Sequence, residues 1–79
     1  MKVQVLFFGA TAEAVGEMVI ELDLPEPVKA GEAFRKIVAE YPPLADHKLL
    51  FALNQEYANG GETLKNGDEL AIFTAVSGG

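Results

Sequence analysis

The sequence contains no cysteine. That absence excludes disulfide staples, zinc–thiolate sites, iron–sulfur ligation and a thiol nucleophile together. Any sulfur this chain handles must come from another molecule. Basic residues are scarce, six Lys and Arg against twelve Asp and Glu, and the resulting net charge of −6 repels phosphate backbones. Nucleic acid is therefore not an expected partner. A basic protein surface would complement such a charge, and the same acidity also serves plain solubility. No apolar run approaches the ~20 residues that a membrane span needs. Met1-Lys2-Val3-Gln4-Val5 alternates like a strand and lacks the apolar stretch of a signal peptide. No membrane association and a cytoplasmic location are the expectations that follow.

Catalytic equipment is equally sparse. The single histidine, His47, sits beside Asp46 after two prolines, so neither a metal cluster nor a nucleophilic triad can be assembled, and His47 reads as a surface residue. Gly60-Gly61 and Lys65 lack the G-x-x-x-x-G-K-S/T spacing of a phosphate loop and read as a turn. Nothing in the sequence gives carboxylate pairs such as Glu13 with Glu17, or Asp68 with Glu69, an apolar pocket to separate their roles, and they read as solvated. No self-contained active site is expected. An enzymatic role would belong to a larger assembly.

What is present suits a single compact domain over residues 1–79. A chain of this length buries a little over ~60% of its unfolded surface, and a content of 49% hydrophobic residues is enough for one modest core. Val3, Val5 and Phe7 fall on one side of a strand, and Gln4, Leu6 and Phe8 on the other. Small residues from Gly9 to Gly16 interrupt it, as a loop or one helical turn capped by Thr11. Met18, Ile20, Leu22 and Leu24 then alternate with Val19, Glu21 and Asp23 in a half-buried strand stopped by Pro25 and Pro27. From Gly31 to Tyr41 the period changes. Phe34, Ile37, Val38 and Tyr41 share one helical face, Glu32 lies in the first turn, and Pro42-Pro43 ends the helix. Leu49–Asn54 and Leu70–Phe73 are further strands, separated by turns at Asn59-Gly60-Gly61 and Asn66-Gly67-Asp68.

Hairpin, helix, strand, strand predicts an α+β, ubiquitin-like β-grasp fold: a mixed sheet with one main helix on one face and residues 74–79 as a flexible tail. A helical connection favours parallel pairing of the first and last strands at the sheet's centre. The face without the helix is left for a partner.

The chemistry concentrates at the carboxyl terminus. Two terminal glycines occur by chance at roughly 1 in 200, so their physical properties must carry the argument. Gly78-Gly79 has no Cβ to obstruct entry into a narrow cleft, and its backbone freedom lets an extended tail reach a buried site. A terminal carboxylate can be activated with ATP and converted to a thiocarboxylate by other proteins.

Val5-Leu6-Phe7-Phe8, Asn54-Gln55-Glu56-Tyr57-Ala58, Asn66-Gly67-Asp68-Glu69-Leu70-Ala71-Ile72-Phe73 and Val76-Ser77-Gly78-Gly79 together resemble the MoaD branch of the MoaD/ThiS sulfur-carrier proteins, along the whole chain. The resemblance implies that Gly79 is adenylated by an E1-like adenylyltransferase using ATP and Mg, then carries a thiocarboxylate, with Gly78 giving access. It further implies insertion into the large subunit of molybdopterin synthase, within a heterotetramer, to donate sulfur to cyclic pyranopterin monophosphate. No cofactor or metal would be held by the chain itself. Phe8, Tyr57 and Phe73 would form the docking patch, with Val76 and Ser77 lining the approach to the glycines. The chain departs from the family's usual pattern at Thr74-Ala75, where two prolines are common, and at Ala12, where an arginine is usual. A thiamine-type sulfur carrier, a ubiquitin-like protein modifier and a non-catalytic β-grasp interaction module remain as alternatives.

Overall fold

A computed structural model describes residues 1–75. Its elements run β1 (Lys2–Phe7), α1 (Ala10–Val15), β2 (Val19–Asp23), α2 (Ala30–Glu40), a 3₁₀ turn (Pro42–Asp46), β3 (Leu49–Leu53), β4 (Glu56–Tyr57) and β5 (Glu69–Thr74). They form one five-stranded sheet of order β2-β1-β5-β3-β4. The first and last strands do meet in parallel at its centre, Val5 opposite Leu70 and Phe7 opposite Ile72, while all other pairings are antiparallel. This is the expected β-grasp arrangement, with β4 added as a short edge strand.

Alternation decides which side chains enter the core. Val3, Val5 and Phe7 of β1 and Leu70 and Ile72 of β5 are all buried beneath α2. The helix face differs from the expected stripe. Ala30, Gly31, Ala33 and Ile37 are its buried residues, whereas Phe34, Val38 and Tyr41 pack at the margin. The small residues bring the helix close to the sheet, and the aromatics flank it. Phe34 stacks on Phe51 with ring centroids 4.5 Å apart, and Tyr41 meets Phe7 edge-on at 6.1 Å. Leu24 continues the alternation of β2, and Val28, Leu44 and Leu64 complete the core from connecting segments, where no periodicity marks them.

Three local readings need correction. Thr11 lies inside α1 and does not cap it; Gly9 precedes the helix and no side chain caps that end. Met18 precedes β2 and is exposed, so the inward set there is Ile20, Leu22 and Leu24. Thr74 pairs with Leu49 as the last residue of β5, and the Ala75 N–H that follows donates to the Lys48 carbonyl at 3.0 Å, so Thr74 belongs to the sheet and not to a tail.

Two loops fix the ends of the elements. Ala30 N–H donates to the Glu62 carbonyl and Gly31 N–H to that of Gly60, so the loop at 59–62 occupies the free donors of the α2 N-terminus. Approach this close favours glycine: a Cβ on Gly31 would stand 3.1 Å from the Gly60 oxygen, so the loop would have to give by a few tenths of an ångström to admit one. Glu62 stabilises the loop in turn, its carboxylate accepting from the N–H groups of Asn59 and Gly60, both at 2.9 Å. The second loop is a two-residue hairpin, Asn54-Gln55, with φ of 50° and 71°. Turns with both central residues left-handed match the twist of a hairpin and favour asparagine.

Candidate docking face

Residues paired across strands share a face, which assigns every side chain of the sheet. Opposite the helix lie Val19 of β2, Leu6 of β1, Ala71 of β5, Ala52 of β3 and Tyr57 of β4, in one row of mutual partners. The next row places Leu50 opposite Phe73. Continuing the parallel register by one residue sets Phe8 beside Phe73. An apolar band thus crosses all five strands on the uncovered face.

Its exposure is high. Tyr57 is 79% exposed, Phe8 52%, Val19 48% and Leu50 38%, values that hydrophobic side chains adopt as a cluster only where something covers them. Phe73 is half-buried because the Tyr57 ring leans on it, with centroids 5.9 Å apart. The three aromatics that the family resemblance implied are therefore on the open face, and Phe7 and Ile72 are on the other. Leu50 and Val19 extend the patch. Leu50 stands in the unbroken apolar run Leu49–Leu53, where no alternation shows which residues face out. Val76, Ser77, Gly78 and Gly79 lie outside the described residues.

The lower half of the same face is polar. Gln4 pairs with Glu21 on one side and Glu69 on the other, and Lys2 with Asp23. The Lys2 ammonium bonds to Glu21 at 3.3 Å, an exposed contact that contributes little to stability but leaves the acidic excess in place. An apolar band with an acidic border suits a protein surface with an apolar centre and basic rim.

Asn54 holds the strand ends below the patch. Its N–H donates to the Glu69 carbonyl at 2.8 Å, its side-chain oxygen accepts from the Glu69 N–H at 3.0 Å, and its amide donates to Asp68 at 3.0 Å. Asp68 also accepts from the Lys65 N–H at 2.7 Å, and Asn66 from that of Lys2 at 2.8 Å. The two polar motifs of the sequence are thus a single network that anchors β5 between β1 and β3. Among the described residues no three His, Cys, Asp or Glu side chains gather to hold a metal ion, and His47 is exposed. No helix there is long and apolar enough to cross a membrane.

The comparisons with known proteins agree with this geometry. The ThiS family model matches residues 5–79, and so includes the terminal glycines. The human molybdopterin synthase sulfur carrier subunit is 35% identical over 83 residues, an alignment spanning 99% of this chain and 94% of that protein. Among solved structures, SAMP1 from Haloferax volcanii superposes with a TM-score of 0.87 at 28% identity, covering both chains completely. A protein–protein complex of subunits 1 and 2 of the molybdopterin-converting factor from Helicobacter pylori contains a chain matched at a TM-score of 0.73 and 28% identity, again with both chains fully covered. The chain belongs to the ThiS family, among relatives that are molybdopterin synthase sulfur carrier subunits.

Proposed function

We propose that this protein is the sulfur carrier subunit of a molybdopterin synthase, docking through the open face of its sheet and delivering sulfur from its carboxyl terminus. The observation that carries the reading is spatial: β5 bears Phe73 on the docking face at the sheet's centre, and the chain reaches Gly79 five residues after β5 ends. One face would recognise, and the terminus that follows β5 in the sequence would react.

The chemistry divides between the chain and its partners. An E1-like adenylyltransferase using ATP and Mg would convert the Gly79 carboxylate to an acyl-adenylate, releasing pyrophosphate. A sulfide equivalent would then displace AMP and leave a thiocarboxylate. In the large synthase subunit, with two carriers at the ends of a heterotetramer, that sulfur would pass to cyclic pyranopterin monophosphate. Two transfers would build one dithiolene. The tail's share is access, since Gly78-Gly79 adds no side-chain bulk. Val76 and Ser77 would line the approach.

Intact mass after incubation with the activating enzyme, ATP and a sulfur source tests the reading directly. The expected product has one sulfur in place of one oxygen. A chain carrying an extra residue after Gly79 should remain folded and gain nothing; if it still supports synthesis without being trimmed, the carrier assignment fails. A second reading, protein modification, is favoured by the superposition on SAMP1, since a Haloferax volcanii neighbour is described as a small archaeal modifier protein. Isopeptide-linked Gly79 on lysines of other proteins would identify it.

A further inference from the structure

Thr11 is the one buried polar side chain among the described residues, with no exposed surface. Its Oγ1 lies 3.0 Å from the Phe8 nitrogen, 2.8 Å from the Phe8 carbonyl oxygen and 2.8 Å from the Ile72 carbonyl oxygen. A hydroxyl has one proton, so it accepts from the Phe8 N–H while donating to one carbonyl at a time. Neither carbonyl depends on it. Phe8 oxygen also accepts from the Thr11 N–H and Ile72 oxygen from the Phe8 N–H, both at 3.2 Å. Avoiding orphaned polar groups is therefore not what the hydroxyl adds.

What it adds is a tie between two strand ends. The last backbone bond from β1 towards β2 is Phe7 N–H to Met18, and the chain turns away at Gly9 with φ 56°. Phe8 is thus held on one side only, by Ile72 and by Thr11. Ile72 immediately precedes Phe73. We propose that Thr11 is a positioning residue for docking: its hydroxyl locks the end of β1 to the end of β5 and so fixes how Phe8 and Phe73 are presented to the partner. This rests on the docking reading of the open face.

Calorimetric titration of the large synthase subunit with single and double variants tests it, at a temperature where circular dichroism shows each variant folded. Thr11→Val removes the hydroxyl at nearly constant volume and should weaken binding about tenfold, roughly the effect of one net hydrogen bond. Thr11→Ser should restore parental affinity. Because Thr11 acts through Phe8 and Phe73, Thr11→Val combined with Phe8→Ala should lose less than the sum of the two single losses. Additive losses, or parental affinity in Thr11→Val, would reduce Thr11 to a packing residue while the docking face stood. Parental affinity in Phe8→Ala would remove the face itself as the reading, and this proposal with it. Should Thr11→Val not fold, Thr11→Ala takes its place in the same cycle, because it removes the bonds without pressing a methyl against two carbonyls.

Discussion

A single side chain can specify both a backbone shape and a long-range tie, and Asn54 does so. Its φ of 50° is a conformation that most side chains resist, and its amide reaches both Asp68 and the Glu69 backbone. Asn54→Ala should lose both and cost about 2 kcal/mol, while Asn54→Gly should recover the backbone share; urea midpoints of the two variants separate the contributions. Glu62 gives a pH-dependent counterpart. Its carboxyl is held below the usual range, first by the Asn59 N–H, next by its own N–H, and less by that of Gly60, against an opposing effect of desolvation. A depressed folded value means that the stabilisation is complete above the unfolded value and fades as pH falls through the folded one. The advantage of the parent over Glu62→Gln in urea should therefore narrow as the pH is lowered from 7 towards 3. At this scale sequence reading was uneven. The turns at Asn59 and Asn66 were legible from composition, whereas Thr11 looked like a cap, because one of its partners, Ile72, is 61 residues away and the other, Phe8, precedes the helix.

Periodicity told more about the elements. The helix and the alternation of β1, with Phe7 inward and Phe8 outward, follow from spacing of 3.6 or 2 residues, and the structure agrees. Spacing alone overvalued size, however. The buried face of α2 is made by Ala30, Gly31, Ala33 and Ile37 because a helix lying close on a sheet has no room for rings there. Ile37→Ala should then cost about 3 kcal/mol and Phe34→Ala about 2, since Phe34 keeps part of its surface in water and loses mainly its stack on Phe51. The order of the two urea midpoints checks the packing. A larger loss for Phe34 would return the aromatic stripe to the centre of the core.

For the whole molecule, binding and folding should be separable. Phe73→Ala should weaken docking by about 2 kcal/mol or more with a smaller loss of stability, as its ring meets Tyr57 on the open side and its strand position pairs with Leu50. Rates measured against the large subunit should also show association slowing with added salt more than dissociation changes, because the acidic border acts at a distance. The mixed sheet was legible in the sequence from the order of elements; the placement of Val28, Leu44 and Leu64 was not, because only the closed fold brings them inward. The position of β5 has one more consequence. It is the seam between the β2–β1 and β3–β4 ribbons, and without it the sheet falls into two two-stranded pieces, neither of which is stable in water. Assembly therefore waits for the last strand to be synthesised and to find the first across almost the entire chain, a pairing that favours slow closure. A polypeptide broken off upstream of Glu69 would stay open to proteolysis and never present the aromatic face, so the topology itself screens prematurely ended chains from the partner.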